Sequence, residues 1–131
     1  KLRYPYWATY MKVNGKKVKA GKDGYVNIRA TARVEVEFGM NLHEEATKDD
    51  TSRVALLYGP IVLGGRLGEV AHPFSDPKKH NDYYTFDYGK HPDVKLADVK
   101  HLGGLHFESA GVSILPFYDL QRCRYVVYWK K

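Results

Sequence analysis

The chain has 131 residues, 44% hydrophobic and 27% charged, with 21 Lys and Arg against 15 Asp and Glu for a net charge of +6. This length and balance describe one globular domain, with two very small ones as the second option, and exclude a disordered chain. The single cysteine, Cys123, rules out an internal disulfide, and no apolar run reaches the ~20 residues of a membrane helix.

In chain order, Leu2 to Trp7 carries β-formers interrupted by Pro5, which confines that strand to an edge or a bulge. Tyr10 to Val13 alternates and runs into Asn14-Gly15, a hairpin signal because both residues accept positive φ. Lys16 to Ala20 is the expected return strand, followed by turns at Gly21 and Asp23-Gly24. Tyr25 to Arg29 alternates again. Arg33 to Phe38 alternates strictly, placing Val34, Val36 and Phe38 on one half-buried face. Asn41 to Leu42 is a further short strand, and the acidic stretch Glu44 to Ser52 reads as a loop.

The runs Val54 to Tyr58 and Ile61 to Leu63 are nearly continuous and apolar, so they predict central strands split at Gly59-Pro60. Residues 64 to 104 read as a loop-rich insertion punctuated by Pro73, Pro77 and Pro92, with one short strand near Tyr83 to Tyr88. Residues 105 to 131 supply closing strands at Val112 to Leu115 and Arg124 to Trp129. Frequent turns and short strands, without an amphipathic helix, predict an all-β fold. The expected form is an antiparallel, jelly-roll-like β-sandwich over residues 1–131, with a small β-barrel as the alternative.

The chemistry-bearing residues do not assemble into a recognisable motif. The histidines His72, His80, His91, His101 and His106 lack metal-ligand spacing, and Cys123 stands apart from them, so no metal or other cofactor is expected. Cys123 alternates with Arg122 and Arg124, which predicts a thiol turned into the core. Glu44, Glu45, Asp49 and Asp50 form a solvated charge run. Glu108 is isolated, so no opposed carboxylate pair points to glycoside hydrolysis. Gly64-Gly65 and Gly103-Gly104 lack the context of a phosphate loop. The basic residues are scattered, densest at Lys16 to Lys19 and at Lys130-Lys131, which argues against a nucleic-acid partner. The aromatic stretch Tyr83, Tyr84, Phe86 and Tyr88, with His80, Asp82 and Asp87 nearby, is the candidate carbohydrate-binding site, since rings flanked by polar groups can hold a sugar.

Three segments carry a family resemblance. They are Leu2 to Ala8 with Val13-Asn14-Gly15 and Gly24-Tyr25-Val26; Arg53 to Leu63; and Leu115 to Asp119 with Arg124 to Trp129. In this order they resemble the region after the catalytic domain of β-L-arabinofuranosidase-like glycoside hydrolases, families 127 and 146. The central block is similar to that family's R-x-A-x-x-x-G-P-x-V-L pattern. Where the family has a Trp and a Gly-Asp turn, this chain has only Ala30-Thr31-Ala32. The resemblance implies a periplasmic or secreted parent with an (α/α)6 catalytic barrel as this region's partner. The family's catalytic glutamate and zinc-binding cysteines lie in that barrel, so none carries over to a position here. The expected function is therefore a non-catalytic accessory domain that packs on and stabilises the barrel. The alternative is a carbohydrate-binding module for plant-type glycans.

Overall fold

Alternating segments can complete their backbone hydrogen bonds only by pairing, and they do so throughout this chain. The computed structural model describes residues 1–29, 31–69 and 91–131. The paired strands are antiparallel wherever their register is defined. Two 3₁₀ turns, Leu96–Asp98 and Phe117–Asp119, are the helical elements among the described residues. The fold is all-β, as the alternation predicts. No helix among the described residues is long and apolar enough to cross a membrane. The chain forms two compact units, Lys1–His43 with Tyr58–Pro60, and Glu44–Leu57 with Ile61–Lys131.

In the first unit, β1 (Leu2–Arg3) pairs with β4 (Tyr25–Val26). A three-stranded sheet runs β3 (Lys16–Val18), β2 (Met11–Val13), β5 (Val36–Phe38). Asn14 and Gly15 adopt φ of 47° and 78° and close the β2–β3 hairpin, as their sequence requires. Several strands are shorter than the sequence suggests, among them β3, which ends at Val18 rather than at the expected Ala20. Pairing beyond β1 stops at Tyr4, whose N–H donates to Gly24 O, and Pro5 then accepts from Ala8 N–H in a turn. The Tyr25 strand ends at Val26. Of Arg33 to Phe38 only Val36–Phe38 is paired; Val34 and Phe38 are half-buried as expected, while Val36 is exposed. Met11 and Val26 are buried, and the Trp7 and Phe38 rings meet edge to face at 5.5 Å.

The second unit is built around β8 (Ile61–Glu69). Its sheet runs β13 (Tyr128–Lys130), β7 (Arg53–Tyr58), β8, β11 (Val112–Pro116), β10 (His106–Ser109), β9 (Lys100–Gly103). In addition, β12 (Cys123–Val126) lies beside β8 and β6 (Leu42–Ala46) beside β7. Gly65 pairs with both Ile114 and Val126, and Arg66 with both Ser113 and Tyr125, so β8 has neighbours along both edges. The region expected to begin a loop-rich insertion at Gly64 is instead the centre of the sheet, and β9 recovers pairing before residue 104. The expected strand near Tyr83 to Tyr88 lies outside the described residues.

Glycine reads as a breaker in a strand, but Gly64 and Gly65 have a packing role. A Cβ on Gly65 would lie 2.5 Å from Trp129 Cη2 and 2.8 Å from Val112 Cγ1. On the opposite face, a Cβ on Gly64 would lie 2.6 Å from Leu120 Cδ1. The pleat sends successive side chains to opposite faces, so the glycine pair opens one notch on each side. Trp129 fills the inner notch and is fully buried with Leu56, Leu63 and Ile114. The His91 ring stands edge-on to it at 5.5 Å and 90°. Further along β8, Leu67 is one residue extra between the pairs Arg66–Tyr125 and Gly68–Arg124, and Gly68 takes φ of 116° at this bulge.

The acidic segment Glu44 to Ser52, expected as a loop, holds the end of β6 and an ordered turn. Asp50 accepts from Ser52 N–H at 3.0 Å, while its backbone carbonyl accepts from Thr47 Oγ1 and from Arg53 N–H. The β10–β11 hairpin turns on Ala110 and Gly111 with φ of 50° and 74°, and alanine gave no sign of this.

Replacing Gly65 with alanine overfills the inner notch. The expected cost is about 1–3 kcal/mol, as for other over-packed cores. Urea unfolding should show the midpoint fall. An unchanged midpoint for Gly65→Ala, with Gly15→Ala as a turn control, would refute the packing assignment.

Candidate functional site

Side chains that could bind or react gather in one place within each unit. In the first unit, strands β2 and β5 set Lys12 opposite Glu37. Lys12 Nζ donates to both carboxylate oxygens, at 2.9 and 3.2 Å, and the Tyr10 hydroxyl donates to Glu37 Oε1 at 2.6 Å. The ammonium groups of Lys12 and Lys17 also lie 5.1 and 5.5 Å from the Tyr10 ring centre. Tyr10 is positioned by Gly39, where any Cβ would collide with its ring. An open concavity of about 400 Å³ lies alongside, lined by Lys12, Gly15, Glu35, Val36 and Glu37.

The hydrogen bond from Tyr10, reinforced by that from Lys12, holds Glu37 below the usual carboxylate range. The hydrogen bond to Glu37 in turn raises both Tyr10 and Lys12 above their ordinary values. At neutral pH the cluster is therefore a carboxylate beside an ammonium and an intact phenol. A general acid needs the reverse, a carboxyl raised toward neutrality. Asp23 and Asp50 are lowered as well, Asp23 chiefly by its hydrogen bond from Lys1 and Asp50 chiefly by that from Ser52. These groups tie strands and turns together.

In the second unit, the register fixes an outward-facing row across five strands. Lys100 on β9 stands opposite Glu108 on β10, Glu108 opposite Ser113 on β11, Ser113 opposite Arg66 on β8, and Arg66 opposite Tyr125 on β12. Directly opposite residues share a face of the sheet, with Cβ atoms about 4.5–5.5 Å apart. Lys100, Ser113, Arg66 and Tyr125 are exposed and Glu108 is half-buried. The neighbouring row, Phe107, Ile114 and Gly65, is buried beneath.

A wall rises at one end of this row. Leu120 is seated against Gly64, which brings the Phe117–Asp119 turn onto β8. The Phe117 ring then meets that of Tyr125 at 5.4 Å and 68°. Phe117, Tyr118 and Tyr125 are 44%, 59% and 48% exposed. Two rings thus form an open corner at the end of a polar floor.

The residues singled out from sequence fall differently. Tyr83, Tyr84, Phe86 and Tyr88 lie outside the described residues, as do His72 and His80. Cys123 is buried, as its alternation predicts. His101 Nε2 donates to Gly104 O at 2.8 Å, and its ring stacks on Phe107 at 4.5 Å. Among the described residues, no three His, Cys, Asp or Glu side chains converge as metal ligands. Glu108, isolated in sequence, joins Arg66 and Ser113 only through strand pairing. Phe117 and Tyr118 were visible only as part of a resembling block. No protein-family model matches this chain, and no curated protein matches it.

The low carboxyl of Glu37 has a pH consequence. Its contribution to stability is fully present above the ordinary value of 4.5 and is lost as pH falls through the lower folded value. The raised Lys12 and Tyr10 act oppositely, contributing below their ordinary 10.5 and 10.0 and losing that contribution at higher pH. Glu37→Gln should therefore lower stability at neutral pH, with the gap to the parent closing in strong acid. Parallel denaturation curves across pH would test this, and a gap independent of pH would refute it.

Proposed function

We propose that this chain is a non-catalytic accessory β-domain of a larger glycoside hydrolase, resting on a separate catalytic domain and stabilising it. The observation that carries this reading is the exposure of large side chains in the segment that resembles the junction with a catalytic domain. Tyr6 is 79% exposed, and Tyr25 on β4 is 40% exposed opposite the exposed Arg3 of β1. Exposed large aromatics of this kind mark surfaces that a partner covers.

The decisive comparison uses the domain alone and joined to the region that precedes it in the parent. Tyr6→Ser with Tyr25→Ser should leave the isolated domain's unfolding nearly unchanged. The same pair should destabilise the joined protein by roughly 1.5–3 kcal/mol for each ring covered. Equal effects in both contexts would overturn the proposal. So would a preceding region without a helical, barrel-length catalytic domain.

A further inference from the structure

We infer that the first unit docks on an acidic protein surface, so that the face of the catalytic domain covering Tyr6 and Tyr25 brings carboxylates to Arg3 and Lys22. This inference rests on the accessory reading and names the chemistry of the partner which that reading requires. The cations look scattered along the sequence, but the fold gathers them. The first unit, Lys1–His43 with Tyr58–Pro60, holds nine Lys and Arg against three Asp and Glu. The second unit holds twelve of each, so the whole net charge of +6 belongs to the first.

The unit's own carboxylates are already taken. Asp23 accepts from Lys1 Nζ at 2.8 Å and from Tyr25 N–H at 3.2 Å, Glu37 pairs with Lys12 at 2.9 Å, and Glu35 pairs with Arg33 at 2.7 Å. Six cations remain without a carboxylate among the described residues: Arg3, Lys16, Lys17, Lys19, Lys22 and Arg29. All six are exposed. An excess of one sign destabilises a compact fold by self-repulsion, and an acidic partner relieves it. Lys16 and Lys17 lie on the edge strand β3, where lysine also deters unwanted strand pairing. Arg3 and Lys22 have no such duty.

These two accompany the exposed Tyr25. Register sets Arg3 opposite Tyr25 and Leu2 opposite Val26. Val26 is buried and Leu2 half-buried, whereas Arg3 and Tyr25 are exposed, so the β1–β4 ribbon turns its Arg–Tyr pair to solvent. Lys22 stands in the turn that leads into β4, closed by Gly24 N–H donating to Gly21 O at 3.0 Å. Tyr and Arg are enriched at protein–protein contacts. Tyr supplies a large rigid ring, and Arg a fork that meets a carboxylate through two parallel hydrogen bonds.

The ribbon's composition favours a protein over a lipid surface or a nucleic acid. Its exposed side chains, Lys1, Arg3, Asp23 and Tyr25, include no aliphatic group to enter a bilayer. Tyr25 has no ring stacked on it among the described residues, so it offers no run of platforms for successive bases. Asp23 does not repel an acidic partner as a bare carboxylate would, because the Lys1 ammonium is bound to it.

The test follows the urea midpoint of the domain joined to the region that precedes it in the parent. It is measured at about 0.01 M and about 1 M NaCl, between which the screening length falls from about 30 to about 3 Å. Arg3→Glu with Lys22→Glu should lower the midpoint by roughly 1 M urea at low salt, and the gap to the unsubstituted protein should close at high salt. Arg3→Gln with Lys22→Gln should open a smaller gap of the same kind. In the isolated domain the Glu pair should leave the midpoint unchanged or raise it, since it lowers the excess charge. Lys131→Glu, in the second unit, should open no gap. Tyr6→Ser with Tyr25→Ser should open a gap in the joined protein that salt leaves in place, because ring burial is not screened. If the tyrosine gap appears and neither charge pair opens one at low salt, the inference is overturned and the accessory reading stands. If the tyrosine pair opens no gap, the accessory reading fails and this inference with it. A charge gap that persists in full at high salt, that Lys131→Glu matches, or that is equal in the isolated domain also overturns the inference. So does capture of the joined protein by phosphatidylglycerol vesicles or by oligo-dT that the Glu pair abolishes, since the cations would then be open to another polyanion.

Discussion

The indole of Trp129 occupies the space that a side chain at position 65 would need. A Cβ there would meet Cη2 at 2.5 Å, with Val112 closing in from the other side at 2.8 Å. Trp129 is one of the largest fully buried side chains, beside Phe107, Leu56, Leu63 and Ile114. Seating it on bare backbone in the central strand lets β13, β7, β8 and β11 share one apolar layer. The indole Nε1 is buried and finds no hydrogen-bond partner among the described residues. The ring is therefore held by packing, with His91 against its edge.

The outer face follows from the same pair of glycines. With Gly65 opening inward, the pleat turns Gly64 outward, and Leu120 enters that second notch. The turn preceding Leu120 is thereby laid on β8, and Phe117 comes to rest against Tyr125. Packing on one side of a strand and ring placement on the other are two consequences of one Gly-Gly step. In the first unit, Gly39 likewise leaves room for Tyr10, whose hydroxyl joins Lys12 on Glu37 across β2 and β5.

Some of this was legible in sequence. Asn14-Gly15 signalled its hairpin because few other pairs accept two positive φ angles. The apolar runs around Gly59-Pro60 marked β7 and β8, and the alternation around Cys123 marked a buried thiol. Other elements carried no such sign. Glu44 to Ala46 is polar yet paired, because β6 gains its stability from the backbone ladder to β7. Ala110 takes φ of 50° in the β10–β11 turn, which its identity does not announce. Strands β9 and β10 have four residues each, and β9 is exposed throughout, so periodicity was too brief to reveal them. The residues of the outer face were individually unremarkable, with Arg66 beside glycines, Glu108 alone, and Phe117 and Tyr125 in a terminal block.

The sequence by itself determined the class of this protein: period-two alternation and turn residues at short intervals admit strands and exclude helices, because both are local properties of the chain. Only the tertiary structure decided what Gly64 and Gly65 are for and which side chains stand together. Whether a glycine breaks a strand or admits a neighbour depends on atoms such as Trp129 Cη2 and Leu120 Cδ1, which are distant in sequence. The row from Lys100 to Tyr125 exists only through register, since a slip of one residue in any strand would send its member to the opposite face.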